Sequence, residues 1–175
     1  MDRIGEFLPF MLEGSVTTVQ VFVLTLVISL PLGLPIALGS NSRFKPLSFL
    51  CKIYVWIFRG TPLMLQLWFF YFFFPFNFGI TFDALTTAVL TYVLNYAAYF
   101  AEIYRGGINS IDRGQYEAAH ALGLSRKQTM FDIILPQTMK AILPPVVNEA
   151  ITLVKDTALV SSLAVVDLMK ATNSA

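Results

Sequence analysis

The sequence predicts an all-α membrane protein, and three observations predict it. Of the 175 residues, 56% are hydrophobic and 13% are charged, against about a quarter charged in an ordinary soluble domain. The missing charge leaves long uncharged windows such as residues 14–42, more than the ~20 residues a helix needs to cross a bilayer. Between apolar runs lies a single long polar stretch, residues 102–140.

The same composition excludes other classes. A net charge of +1 offers no global attraction to nucleic acid, and the many Phe residues lie in an apolar run rather than beside a basic groove. One cysteine, Cys51, rules out an intrachain disulfide and a cysteine-only metal cage. One histidine, His120, leaves little for a histidine site, so no metal is expected.

Taken in order, residues 1–14 mix acids with Phe, Leu and Met and predict a short helix at the membrane surface. Asp2 and Glu6 do not suit a secretory leader. Residues 16–38 form a first span, with Pro31 and Pro35 expected to kink its second half. A basic turn follows at 41–45. The second span begins near Gly60 and runs through 63–78, with Trp56 and Trp68 suited to interfaces and a turn at Pro75 to Gly79. Residues 84–101 form a third span between Asp83 and Glu102. Residues 141–166 form a fourth, and 167–175 a polar end.

Orientation follows from the basic residues. The 39–52 and 102–140 segments hold eight Lys and Arg, whereas the N-terminal segment, the 75–83 turn and the C-terminal tail hold two. The positive-inside rule then places the N-terminus outside and 102–140 in the cytoplasm.

The fourth span carries Glu149, Lys155 and Asp156. Each charge costs roughly 2.5–3.5 kcal/mol at a helix centre unless it faces protein or a watery cavity. Glu149, Thr152 and Asp156 are spaced by three and four and share a helix face, with Lys155 just beside it. The cluster serves either a functional polar site or a structural ion cluster. As a site it suits an α-amino acid: Lys155 for the carboxylate, Asp156 for the ammonium, Glu149 for a cationic side chain. Asn95 and Tyr99 of the third span are further candidates, although an Asn among apolar neighbours serves equally as an interhelical hydrogen-bond partner. Arg59 and Glu102, at the same level of adjacent spans, are expected to form a structural pair.

In the polar stretch, residues 117–122 favour helix and Gly123 is a stop. A second helical stretch, 125–135, opens on Ser125 and is expected to end at Pro136. A short helix bounded by Gly114 and Gly123 fits a groove in a partner. No Gly-rich phosphate loop ending in Gly-Lys-Ser or Gly-Lys-Thr is present, so nucleotide hydrolysis linked to this chain must come from another one. A stand-alone channel or ion-coupled transporter using Glu149, Lys155 and Asp156 is the alternative, although it has no need of a docking helix. A membrane enzyme is poorly supported, since no Ser–His pair lies in the spans.

The segment Glu117-Ala118-Ala119, then Gly123, Ile133, Leu135 and Pro136, resembles the EAA signature of ABC importer permeases. Arg59-Gly60-Thr61-Pro62 with Gln66, Ala97-Ala98-Tyr99, Ala101-Glu102-Ile103, Arg105-Gly106-Gly107-Ile108, Ala121-Leu122-Gly123-Leu124-Ser125, Leu143-Pro144-Pro145 and Lys155-Asp156-Thr157 resemble the polar amino acid branch of that family. The resemblance covers nearly the whole chain. It implies the type I ABC importer transmembrane fold and a paired permease, identical or homologous. It also implies two ATPase subunits carrying ATP and Mg, an extracytoplasmic binding protein that largely sets substrate choice, and a place in the bacterial inner membrane. Glu117, Ala118, Ala119, Ala121, Leu122 and Gly123 then correspond to the coupling helix, and no cofactor is held by this chain. The branch usually has five spans; four are expected up to Ala175, so the usual fifth is not expected within residues 1–175.

Overall fold

The computed structural model describes residues 2–163, and all regular structure among them is helical. The polar end 167–175 and the last residues of the expected fourth span lie outside the described residues.

Helix α1 spans Asp2–Ser40. The 1–14 segment, expected as a separate surface helix, is continuous with it from Asp2 onward. Pro31 and Pro35 lie within α1 without ending it; each removes one backbone donor, which membrane helices tolerate. Val21, Thr25, Ser29, Gly33 and Ala37 are all buried, and their four-residue step aligns them on one stripe. Small residues there let a neighbouring backbone approach closely. That neighbour is α4, Ala84–Asn109. A Cβ at Gly33 would stand 2.8 Å from the Cβ of Phe100 and 3.0 Å from the amide nitrogen of Ala101.

Helix α2 spans Lys45–Gly60, with Pro46 in its first turn, where the missing donor costs nothing. Helix α3, Leu63–Phe78, leaves it at 105°. The apolar run expected at 63–78 is thus helix α3, and with α2 it forms a bent pair rather than a straight rod. The break follows from Gly60-Thr61-Pro62: Thr61 is extended (φ −116°, ψ 142°), the conformation favoured before a proline.

After α4 come α5, Arg113–Ala121, the short turn α6, Arg126–Gln128, and α7, Leu135–Asp156. Pro136 does not end the second helical stretch, as expected from the sequence, but lies in the first turn of α7. The reason is a wide π turn at Thr129–Ile134. A second π turn, Phe69–Phe73, precedes Pro75 in the same way. In both, the carbonyl four residues before the proline (Asp132, Tyr71) lies in the π turn. The proline can neither donate to it nor sit close to it, and the inserted residue relieves the crowding.

Among the described residues, two helices are long and apolar enough to cross a membrane, Gly14–Ser40 and Ala84–Asn109, and the bent pair can make a third. Helix α7, expected as the fourth span, is not among these helices: its described part mixes Lys140, Glu149, Lys155 and Asp156 with several prolines and amides. Its chain continues as a 3-10 turn, Thr157–Leu163. The core gathers around α4, where Tyr92, Tyr96 and Phe100 are buried with Val21 of α1, Leu67 of α3 and Leu153 of α7.

Candidate functional site

Four elements meet at a cavity of about 540 Å³: the end of α2, the start of α3, the middle of α4 and the last turns of α7. Arg59, Asn95, Tyr99, Glu149, Thr152 and Asp156 are among its lining residues. Their convergence has local causes. The helical periodicity of α7 puts Glu149, Thr152 and Asp156 on one face. The break after Gly60 brings Arg59 to the same space.

Asp156 is the most firmly held. The Tyr96 hydroxyl donates to its Oδ2 at 2.7 Å, and the Tyr92 hydroxyl donates to its backbone oxygen. Tyr92, Tyr96, Phe100 and Tyr104 form a ladder along α4, with successive ring centroids 6.3, 6.4 and 6.4 Å apart. The four-residue spacing stacks them on one face, and the Tyr104 hydroxyl also donates outward, to Leu30 O of α1 at 3.2 Å.

Of the sequence-derived candidates, Glu149, Asp156, Asn95 and Tyr99 are brought together. Lys155 is not: it is exposed and is absent from the cavity lining, because one residue of helix rotates it about 100° from Asp156. The cation facing the acids is Arg59, whose Cζ lies 5.1 Å from the Tyr99 ring centroid in cation–π range. The expected Arg59–Glu102 ion pair is replaced by a local one. Glu102 accepts from Arg105 Nε at 2.9 Å and also from its Nη2, since residues three apart on a helix meet more readily than residues on different spans. Arg59 and Glu102 instead line a second cavity, of about 580 Å³, with Lys52 and Arg105. Arg59, Gly60 and Tyr99 line both cavities.

Sequence reasoning missed Tyr96 as the partner of Asp156 and Arg59 as the cavity cation. The four-residue aromatic repeat was a signal for the first; nothing but the Gly-Thr-Pro break pointed to the second. Among the described residues, no group of His, Cys, Asp or Glu converges to hold a metal ion.

The other candidate surface is α5. Its Asp112 cap accepts from the Gly114 amide at 2.6 Å, so the helix starts ahead of Gly114 rather than being bounded by it. At the far end Gly123 is left-handed (φ 74°). There Gly123 N donates to His120 O at 2.9 Å and Leu124 N to Ala119 O at 3.0 Å, the paired closure of a Schellman motif. Ala119 is 1% exposed, whereas Glu117, Ala118, Ala121, Leu122 and Gly123 are all exposed, Leu122 by 78%. Ser125 then caps the next turn reciprocally with Gln128. The Gln137 side chain donates to Gln115 Oε1 at 3.1 Å, linking α5 to α7.

Similarity to known proteins is extensive. The binding-protein-dependent transport system inner membrane component family matches residues 29–174. The arginine transport system permease protein ArtQ of Bacillus subtilis is 44% identical over 163 residues, covering 93% of this chain and 74% of its own. The glutamate/aspartate import permease protein GltK of Escherichia coli is 36% identical over 170 residues, covering 93% and 76%. A solved amino acid ABC transporter with histidines superposes with a TM-score of 0.90 at 35% identity, over 98% of this chain and 80% of that one. The MetNI methionine ABC transporter, at 20% identity and a TM-score of 0.69 over 99% of this chain and 82% of its own, shares the fold. On these grounds the chain belongs to the family of binding-protein-dependent transport system inner membrane components.

Proposed function

We propose that this chain is the membrane-spanning subunit of an ATP-driven amino acid importer of the bacterial inner membrane. It pairs with a second permease subunit, receives substrate from an extracytoplasmic binding protein and is driven by two ATPase subunits that carry ATP and Mg. The N-terminus lies outside and α5 in the cytoplasm. The observation that carries the reading is α5 itself, a capped helix that buries Ala119 and leaves Glu117, Ala118, Ala121 and Leu122 uncovered. A rigid, small-residue helix of this kind transmits displacement from a cleft that grips it.

The cavity lined by Glu149, Asp156, Asn95, Tyr99 and Arg59 is the substrate path. Two acids and one base give it a net charge of −1, complementary to a basic amino acid of net charge +1. The name of the arginine relative supports this preference. Glu149 meets the cationic side chain and Asp156 the ammonium.

The test is uptake of radiolabelled arginine into vesicles containing the complete importer. Glu117→Lys is expected to lose both the copurifying ATPase and ATP-dependent uptake, and Glu149→Gln to lose arginine uptake while keeping the ATPase. Uptake by the wild type without ATP sinks the reading and favours an ion-coupled carrier.

A further inference from the structure

The break between α2 and α3 is closed by side chains rather than left open. A helix that stops inside an apolar environment leaves carbonyls without donors. Here the two N–H donors of the Gln66 amide are shared among Phe58 O at 2.9 Å, Thr61 O at 3.0 Å and Thr61 Oγ1 at 2.7 Å. Asn95, from α4, donates to the same Phe58 O at 3.0 Å and to Gln66 Oε1 at 3.0 Å. Thr61 Oγ1 in turn donates to Ile57 O at 2.8 Å. Gln66 is 7% exposed and Asn95 3% exposed. Asn95 borders the cavity but its donors are spent on protein, and Gln66 does not line the cavity.

Immediately after Phe58 comes Arg59. Its place is set by the last turn of α2, and that turn is pinned to α3 by Gln66 and to α4 by Asn95. Arg59 has Tyr99 beneath it and the acids Glu149 and Asp156 across the cavity. A guanidinium fixed there presents a fork of donors to a planar anion. With Lys155 turned away, Arg59 is the base of this chain that faces the cavity.

We infer that Gln66 and Asn95 are positioning residues that clamp the broken span, and that the clamp holds Arg59 as the cation that reads the carboxylate of the amino acid. This rests on the cavity being the substrate path. It reassigns Asn95 from contacting substrate to holding the residue that does.

The experiment compares arginine with agmatine, its decarboxylated analogue, for binding to the purified complex of this permease with its partner subunits in lipid nanodiscs. Both compounds carry the guanidinium that Glu149 is to meet, and only arginine carries the carboxylate. The wild type is expected to favour arginine. Arg59→Ala, at an exposed position, is expected to cut that preference about tenfold, the scale of one charge-assisted hydrogen bond. Gln66→Leu and Asn95→Ala are expected to cut it in the same direction, and Arg59→Lys to retain part of it. Glu149→Gln is expected to weaken both compounds equally and leave the ratio unchanged. A preference that survives Arg59→Ala, while Glu149→Gln still weakens both, overturns the inference and leaves the substrate path standing. A ratio altered by Asn95→Ala but not by Gln66→Leu makes Asn95 a direct ligand and overturns the clamp. Binding of neither compound by the wild type, or no effect of Glu149→Gln, removes the substrate path and the inference with it.

Discussion

Tyr96 of α4 donates a hydrogen bond to Asp156 at the end of α7, 2.7 Å between the oxygens. Tyr96 is buried, and Tyr92, one turn away, holds the backbone of the same aspartate. A carboxylate acceptor makes this a charge-assisted bond. Tyr96→Phe is therefore expected to destabilise the permease by about 1.5–3 kcal/mol while keeping the packing of the ring. The check is a lowered melting temperature in detergent, with a loss of arginine uptake larger than the loss of folded protein.

The contact between α1 and α4 depends on Gly33. Gly33→Ala must push its new methyl against Phe100 and the Ala101 backbone, at a cost of about 1–3 kcal/mol. A methyl placed on Gly106, in the same helix as Phe100, would meet nothing within 4 Å. Gly106→Ala is expected to stabilise by up to about 1 kcal/mol through helix propensity. Opposite shifts in melting temperature for the two glycines are the expected result; equal shifts contradict the close approach.

Gly123 closes α5 with φ 74°, a conformation that costs a residue with a Cβ about 1–2 kcal/mol. Gly123→Ala is expected to loosen the helix end without touching the cavity. Arginine binding to the complex should be kept, while the fraction of ATPase that copurifies falls. Loss of arginine binding with docking intact contradicts this division of roles.

Asp83 caps α4 from outside the span. Hydrogen bonds from the Thr86 hydroxyl and amide, at 2.5 and 3.0 Å, hold its carboxyl below the ordinary value of 3.8. The folded value is the lower one, so the contribution to stability is fully present above 3.8 and is lost as pH falls through the folded value. Melting curves of wild type and Asp83→Ala are expected to differ at about pH 7, and the gap is expected to narrow as the pH falls below 3.8. A gap that widens on acidification contradicts the assignment.

Much of this architecture was legible in the chain. The uncharged windows marked the spans of α1 and α4, and Gly123 and Ser125 marked real helix ends because their turn chemistry is local. Glu149, Thr152 and Asp156 were placed on one face by spacing alone. What was not legible depended on where the chain turns. Pro136 read as a helix stop because a single carbonyl conflict looks terminal; a π turn absorbs it. Lys155 read as a site residue because it lies just beside the shared face, but one step of helix is a large rotation. Arg59 read as a partner for Glu102 from the level of the spans, and Arg105, three residues along the same helix, competes better for that carboxylate. The four-residue stripe on α1 went unread in the sequence, because its meaning emerges only with Phe100 and Ala101 beside Gly33.

The unbroken run of helical turns from Arg126 to Asp156 has a mechanical consequence. Helix α7, at 22 residues, is about 33 Å long. A tilt of only about 5° about its Pro136 end sweeps Asp156 sideways by about 3 Å at that radius. That arc is as long as the bond from Tyr96, so a rotation too small to disturb the packing near the fulcrum suffices to make or break the hold on Asp156 at the tip.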